Sequence, residues 1–229
     1  MLLNTTTKNG SFVALNHDEL ANVLRDTFAG STIRTWTNPM RGKRAAAAGG
    51  GSRSLFRVTL DQNVAILPGD EARPMIQVRD QTVPGAALRV DLGLYRLVCS
   101  NGLMAFTDSF TALRIPHIPS RRGQLEAIIE TTVASLSRLS NTVTIARELG
   151  SRTIADPIAV LDQLQLPKRV HGLSKLLIET NAHRPEDKPN TVWGLYNIVN
   201  EVDTFKSRSV FATLARDEGM LQRIAALAE

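Results

Sequence analysis

The spacing of apolar positions changes twice along this chain. Leu20, Val23, Leu24 and Phe28 recur at three and four residues, which predicts a helix from about residue 18 to Phe28, capped by Asn16 or Asp18 and stopped by Gly30. The preceding fifteen residues read as irregular, with a short strand at Ser11–Leu15. From Thr32 onward the pattern is that of strands. Thr32–Asn38 carries Ile33 and Trp36 as its bulky residues; Ser54–Leu60, Val64–Leu67, Met75–Arg79, Ala87–Val98, Leu103–Phe106 and Phe110–Ile115 follow. Pro68-Gly69-Asp70, Pro84-Gly85 and Ser100-Asn101-Gly102 are turn signals, because glycine and asparagine tolerate positive φ. Connections this short favour an antiparallel meander.

Helical spacing then returns. Leu125, Ile128, Ile129, Thr132, Leu136, Leu139 and Val143 form one apolar stripe, predicting a helix from Gly123 to about Leu149 that lies on the sheet. Asp156-Pro157 is a start signal, with Asp as cap and Pro at the first helical position. Two short helices, 157–165 and 168–180, are separated by Pro167, and a polar break at 183–189 precedes a helix opened by Asn190 or Thr191. A last helix runs from about residue 207 to the end. Strands and helices are segregated, so the expected class is α+β: an antiparallel β-meander packed by a long helix, with a helical C-terminal third. The expected organisation is a core domain over 1–150, holding a basic loop at 39–53, and a helical region over 151–229.

The chain has 229 residues, enough for one sizeable core. It holds no apolar run long enough for a membrane span, and its first residues lack the pattern of a signal peptide. Cys99 is the single cysteine, so no internal disulfide can form. These features lead us to expect a cytoplasmic protein. The formal charge is +5, from 21 Arg, 6 Lys and 22 acidic residues. Arginine presents a planar fork that suits phosphate. A GC-rich genome also enriches Arg, Ala and Gly, so the clustering of the arginines is more informative than their number.

That clustering is one-signed. Between Thr32 and Arg57 lie Arg34, Arg41, Lys43, Arg44, Arg53 and Arg57, with no acidic residue. Residues 39–53, with the tract Arg44-Ala-Ala-Ala-Ala-Gly-Gly-Gly-Ser52, read as a loop, and loops this long in compact domains are functional or disordered. The glycines make no P-loop, since no Gly-Lys-Ser/Thr follows them. Arg121-Arg122, before the long helix, can hold phosphate with help from exposed N–H groups. Trp36 stands between Arg34 and Arg41, where an indole either joins the core or stacks a base of a single strand.

Catalytic signatures are lacking. His17, His117, His171 and His183 are far apart, and none belongs to HExxH, HxH or a Cys/His pair. Cys99 reads as a small buried apolar group, Asn101 as a turn former, and Gly-x-Ser-x-Gly does not occur. The expectation is therefore a binding protein without catalytic residue, metal or cofactor.

Tyr95-Arg-Leu-Val-Cys-Ser-Asn-Gly-Leu, the strand ending Arg114-Ile-Pro-His117, the long helix and Thr191-Val-Trp-Gly-Leu-Tyr-Asn-Ile-Val199 together resemble the phage/plasmid-like family of domain of unknown function 932. Arg96, Cys99 and Asn101 carry its Arg-x-x-Cys-x-Asn core; Trp193, Tyr196 and Asn197 carry a second motif. The resemblance implies a mobile-element origin and a bacterial cytoplasm, and supplies no catalytic residue. In element order the chain also looks like ring-forming single-strand annealing proteins, which hold DNA by its backbone without metal or nucleotide. The resulting expectation is a single-stranded DNA-binding annealing recombinase, forming a homo-oligomeric ring or filament away from membranes. The alternative is a phage protein-interaction module acting on a host nucleic-acid enzyme.

Overall fold

A computed structural model describes residues 3–7, 10–14, 16–47, 50–83, 85–96, 111–117, 130, 132–134, 139–206 and 219–228. The fold is α+β. Two short strands, β1 (Leu3–Thr7) and β2 (Gly10–Ala14), pair antiparallel as a separate hairpin. Only a strand near the second of these was expected; three consecutive threonines make β1 a good strand former despite its low apolar content.

The main sheet is built from β3 (Thr32–Pro39), β4 (Ser52–Thr59), β5 (Val64–Leu67), β6 (Asp70–Gln81), β7 (Ala87–Arg96) and β8 (Thr111–Pro116). Its order is β3-β4-β6-β7-β8, with β5 paired to β6 off this path. The pairs β3/β4, β4/β6, β5/β6 and β7/β8 are antiparallel, as expected for a meander. β6 is longer than the five residues predicted because two strands share one of its edges, while β7 takes the other. β5 pairs with its start and β4 with Met75 onward. Pro74 falls between the two pairings, where a missing N–H costs neither ladder a bond.

The segment 39–53 is not a loop throughout. β3 runs to Pro39, β4 starts at Ser52, and Lys43–Ala47 forms a short helix, α2, inside the hairpin connection. Alanine has the highest helix propensity, and a run of it can form a turn of helix without an apolar stripe. The helix predicted over 123–149 is described over Leu139–Gly150, here α3, with Glu130 and 132–134 also helical. Leu125, Ile128, Ile129 and Leu136 lie outside the described residues. Thr132 and Val143 of the predicted stripe are buried.

The chain divides into two compact units. The first comprises residues 1–61, 75–92 and 111–139. Its core includes Leu55, Phe56, Val58, Met75, Ile76, Val78, Leu88 and Val90 of the sheet. Helix α1 (His17–Thr27) packs on β3 and β4 and buries Leu20, Ala21 and Leu24. Its cap is Asn16, whose side chain accepts the N–H groups of Asp18 and Glu19. Acidic residues in the first turn and Arg25 in the last suit the helix dipole.

The second unit comprises residues 62–74, 93–110 and 140–229. It holds α3 and α4 (Pro157–Gln163), α5 (Lys168–Glu179), α6 (Val192–Lys206) and α7 (Met220–Leu227). Asp156 caps α4 through the N–H groups of Ile158 and Ala159, with Pro157 at the first helical position. Every residue from Val192 to Asn200 of α6 is buried, so this helix forms the unit's axis. Among the described residues no helix is long and apolar enough to cross a membrane.

Gly194 makes that burial possible. The Lys188 backbone crosses α6 so closely that a Cβ at position 194 would collide with the Lys188 carbonyl. Backbone cannot rotate out of the way as a side chain can. Gly194→Ala should therefore lower the urea midpoint, with a loss of about 1–3 kcal/mol or more. Gly172, which has open space at its Cβ position, is the control. Gly172→Ala should be neutral or stabilising.

Candidate nucleic-acid interface

Successive residues of a strand face opposite sides of its sheet, and antiparallel partners share a side. The β3/β4 register pairs Arg34 with Arg57, Trp36 with Leu55 and Asn38 with Arg53. These six residues therefore share one face. β4 pairs next with β6, setting Arg57 against Gln77, Leu55 against Arg79 and Arg53 against Gln81. Further along, Arg79 donates to Asp91 at 2.7 Å, Arg89 approaches the same carboxylate at 3.7 Å, and Arg89 pairs in register with Arg114. One side of the sheet in the first unit thus carries an arginine on each of its principal strands. Asp91 engages two of them.

Exposure separates the predicted binding residues. Arg34, Arg41 and Lys43 are exposed, and Arg53 is half-buried. Arg57 is only 4% exposed; its guanidinium carbon lies 5.0 Å from the centroid of the Trp36 ring. It is therefore positioned to support Trp36, while Arg34 and Arg53 reach solvent. Trp36 is half-buried and stays out of the core. Arg44 belongs to α2, but its side chain lies outside the described residues, as do Arg121, Arg122, Cys99 and Asn101. The hairpin brings Arg41 and Lys43 to the end of β3, so seven of the nine predicted residues belong to one hairpin: Arg34, Trp36, Arg41, Lys43, Arg44, Arg53 and Arg57.

The opposite side of β4 presents Ser54, Phe56 and Val58, and here folding assembles a cluster that the sequence did not reveal. Asp80 has no exposed side-chain surface and accepts from two imidazoles, His17 Nε2 and His117 Nε2, each at 2.7 Å. Since a carboxylate has no proton to give, both Nε2 atoms are donors. His17 Nδ1 lies 2.6 Å from Ser54 Oγ, which is 2.8 Å from Thr37 Oγ1. The His17 ring also meets Phe56 edge-on at 5.9 Å. Burial pushes the Asp80 carboxyl up, but the bonds from His117 and His17, with their charges, hold it below its ordinary value. Serine, imidazole and carboxylate in a line suggest nucleophilic chemistry, yet Ser54 is 1% exposed in the strand ladder. The line instead ties α1 to the sheet. Among the described residues no group of three His, Cys, Asp or Glu side chains could hold a metal ion.

A second buried cluster sits in the other unit. Arg96, from the strand motif, donates to Asp70 Oδ1 and to Asp187 Oδ1, each at 2.6 Å. Trp193, from the late helical motif, donates its indole N–H to Asp70 Oδ2 at 2.6 Å. Two motifs distant in sequence thus meet on one carboxylate. Burial works against the Arg96 charge, but Asp70 and Asp187 together hold its pKa above the ordinary value. Burial raises the Asp187 carboxyl, and the attraction of Arg96 does not fully offset this. Asp70 reads from sequence as a turn residue, so only the unusual placing of Arg96 within an apolar strand hinted at the cluster.

The chain belongs to the family described as a domain of unknown function (DUF932), whose profile matches residues 31–227. No curated protein and no solved structure matches it. The matched span takes in the arginine-bearing face, Ser54, Asp80, His117 and the whole Arg96 cluster. It leaves out α1, so His17 is added to the buried carboxylate from outside that span.

The buried line makes a pH-dependent prediction. A carboxyl whose pKa is lowered by folding contributes stability above its unfolded value, near pH 4, and loses it as pH falls through the folded value. Asp80→Asn should cost on the order of 3 kcal/mol at neutral pH, since it breaks a buried charged network. Urea midpoints from neutral pH down to pH 2 should show the gap between wild type and variant narrowing below about pH 4. A gap that widens on acidification would refute this account of Asp80.

Proposed function

We propose that this protein binds single-stranded DNA by its phosphates along β3 and the β3–β4 hairpin, and that it serves strand annealing for a mobile element. The supporting observation is the β3/β4 register. It collects Arg34 and Arg53 on one face beside Trp36, with Arg41 and Lys43 at the hairpin end, and no acidic residue lies between positions 32 and 57. Such contacts set affinity without reading sequence, because every phosphate is alike. β3 lies at the end of the sheet, so a flexible strand can approach this face from the side. The reading needs no catalytic residue, metal or cofactor. It places the protein in a bacterial cytoplasm as a homo-oligomer larger than a dimer, either ring or filament, which native mass with and without oligonucleotide tests.

Fluorescence anisotropy across a salt series tests the binding. If about four cations touch phosphate, the slope of log affinity on log salt should be about −3, from roughly 0.7 per contact on single strands. Replacing Arg41, Lys43 and Arg44 together with Ala should reduce affinity and slope alike for all sequences, while the urea midpoint stays within about 0.5 kcal/mol of wild type. Unchanged affinity in that variant would move the site elsewhere. No binding by the wild type at low salt would overturn the proposal in favour of a protein-interaction module.

A further inference from the structure

Trp36 is a large aromatic side chain that the core of the first unit does not take in. The chain's other tryptophan shows the contrast: Trp193 is 2% exposed, donates its N–H to Asp70 and stacks on Tyr196 at 5.7 Å. Trp36 is half-buried on an edge strand, and among the described residues its indole N–H makes no hydrogen bond. Leaving an indole partly in water forfeits burial free energy, so a ring in this position is an unusual surface feature.

The ring is nonetheless held. The buried Arg57 guanidinium lies over it at 5.0 Å, an attraction between cation and aromatic face. Arg57 stands diagonally across from Trp36, because its register partner is Arg34. On the same face Arg34 and Asn38 flank the indole along β3, and Arg53 lies opposite Asn38. An aromatic side chain fixed by a buried cation and ringed by phosphate-binding groups is pre-organised for a flat partner bearing a phosphate on each side. An unpaired nucleotide within a strand is such a partner, and a base inside a duplex has both of its faces already stacked.

We propose that Trp36, held by Arg57, stacks one unpaired nucleobase and so makes the site selective for single strands over duplexes. This rests on the phosphate-binding reading above and adds to it a base contact that electrostatics does not supply. Every base has a π face, so the contact tolerates any sequence.

Three labelled probes of equal length test it: an oligothymidylate, an abasic deoxyribose-phosphate strand, and a duplex. Trp36→Ala should weaken binding to the oligothymidylate about five- to a hundred-fold and leave the abasic strand unchanged. Trp36→Phe should recover part of the loss, which separates stacking from a folding defect. In the wild type, oligothymidylate should quench tryptophan emission and the abasic strand should not, with the quench absent in Trp36→Phe. Equal losses on both single strands, absence of the quench, or duplex binding as tight as oligothymidylate would overturn the stacking proposal alone. Failure of the wild type to bind either single strand would overturn the phosphate reading as well.

Discussion

The β3/β4 register is the constraint on which the first unit depends. Strand β4 alternates two chemistries at every step: Arg53, Leu55 and Arg57 on one side, Ser54, Phe56 and Val58 on the other. A slip of one residue would exchange them, placing arginines against α1 and Ser54 among the cations. The arrangement resists that slip because both sides are committed. On one, Ser54 meets Thr37 and His17, and Phe56 meets the same imidazole. On the other, Arg57 rests over Trp36. The structural face therefore fixes where the cationic face must lie, although no charge is shared between them.

Asp80 serves the first unit as Asp70 serves the second. Each is a buried carboxylate that gathers side chains from distant segments, His17 and His117 in one case, Arg96 and Trp193 in the other. Burying a carboxylate is costly unless it is fully bonded, so such sites are sensitive to the loss of any partner. One residue of each motif, Arg96 and Trp193, is held by Asp70. Arg96 and Trp193 belong to a buried scaffold, whereas Arg34, Arg41 and Lys43 on the β3–β4 hairpin are exposed.

Much of this was legible beforehand. The cap at Asn16, the start at Asp156-Pro157 and strands β3, β4, β5, β7 and β8 follow from local patterns, and the antiparallel arrangement from short connections. The helix within 39–53 was missed because alanine propensity acts without periodicity. The meeting of His17, Asp80 and His117 was invisible for a different reason. They are separated by 63 and 37 residues, and only strand pairing and the packing of α1 bring them together. For the basic cluster, sequence identified the residues but could not assign their exposure. Arg57 counts as one more cation in the chain, whereas in the fold it is a buried support for Trp36.

The most direct test of the central claim is hydrogen exchange on the wild-type protein with and without a saturating oligothymidylate. The account predicts that the added protection falls on β3, the start of β4 and the hairpin connection between them, while α4, α5 and α6 in the second unit exchange as before. Protection confined to the second unit, with β3 unchanged, would contradict it.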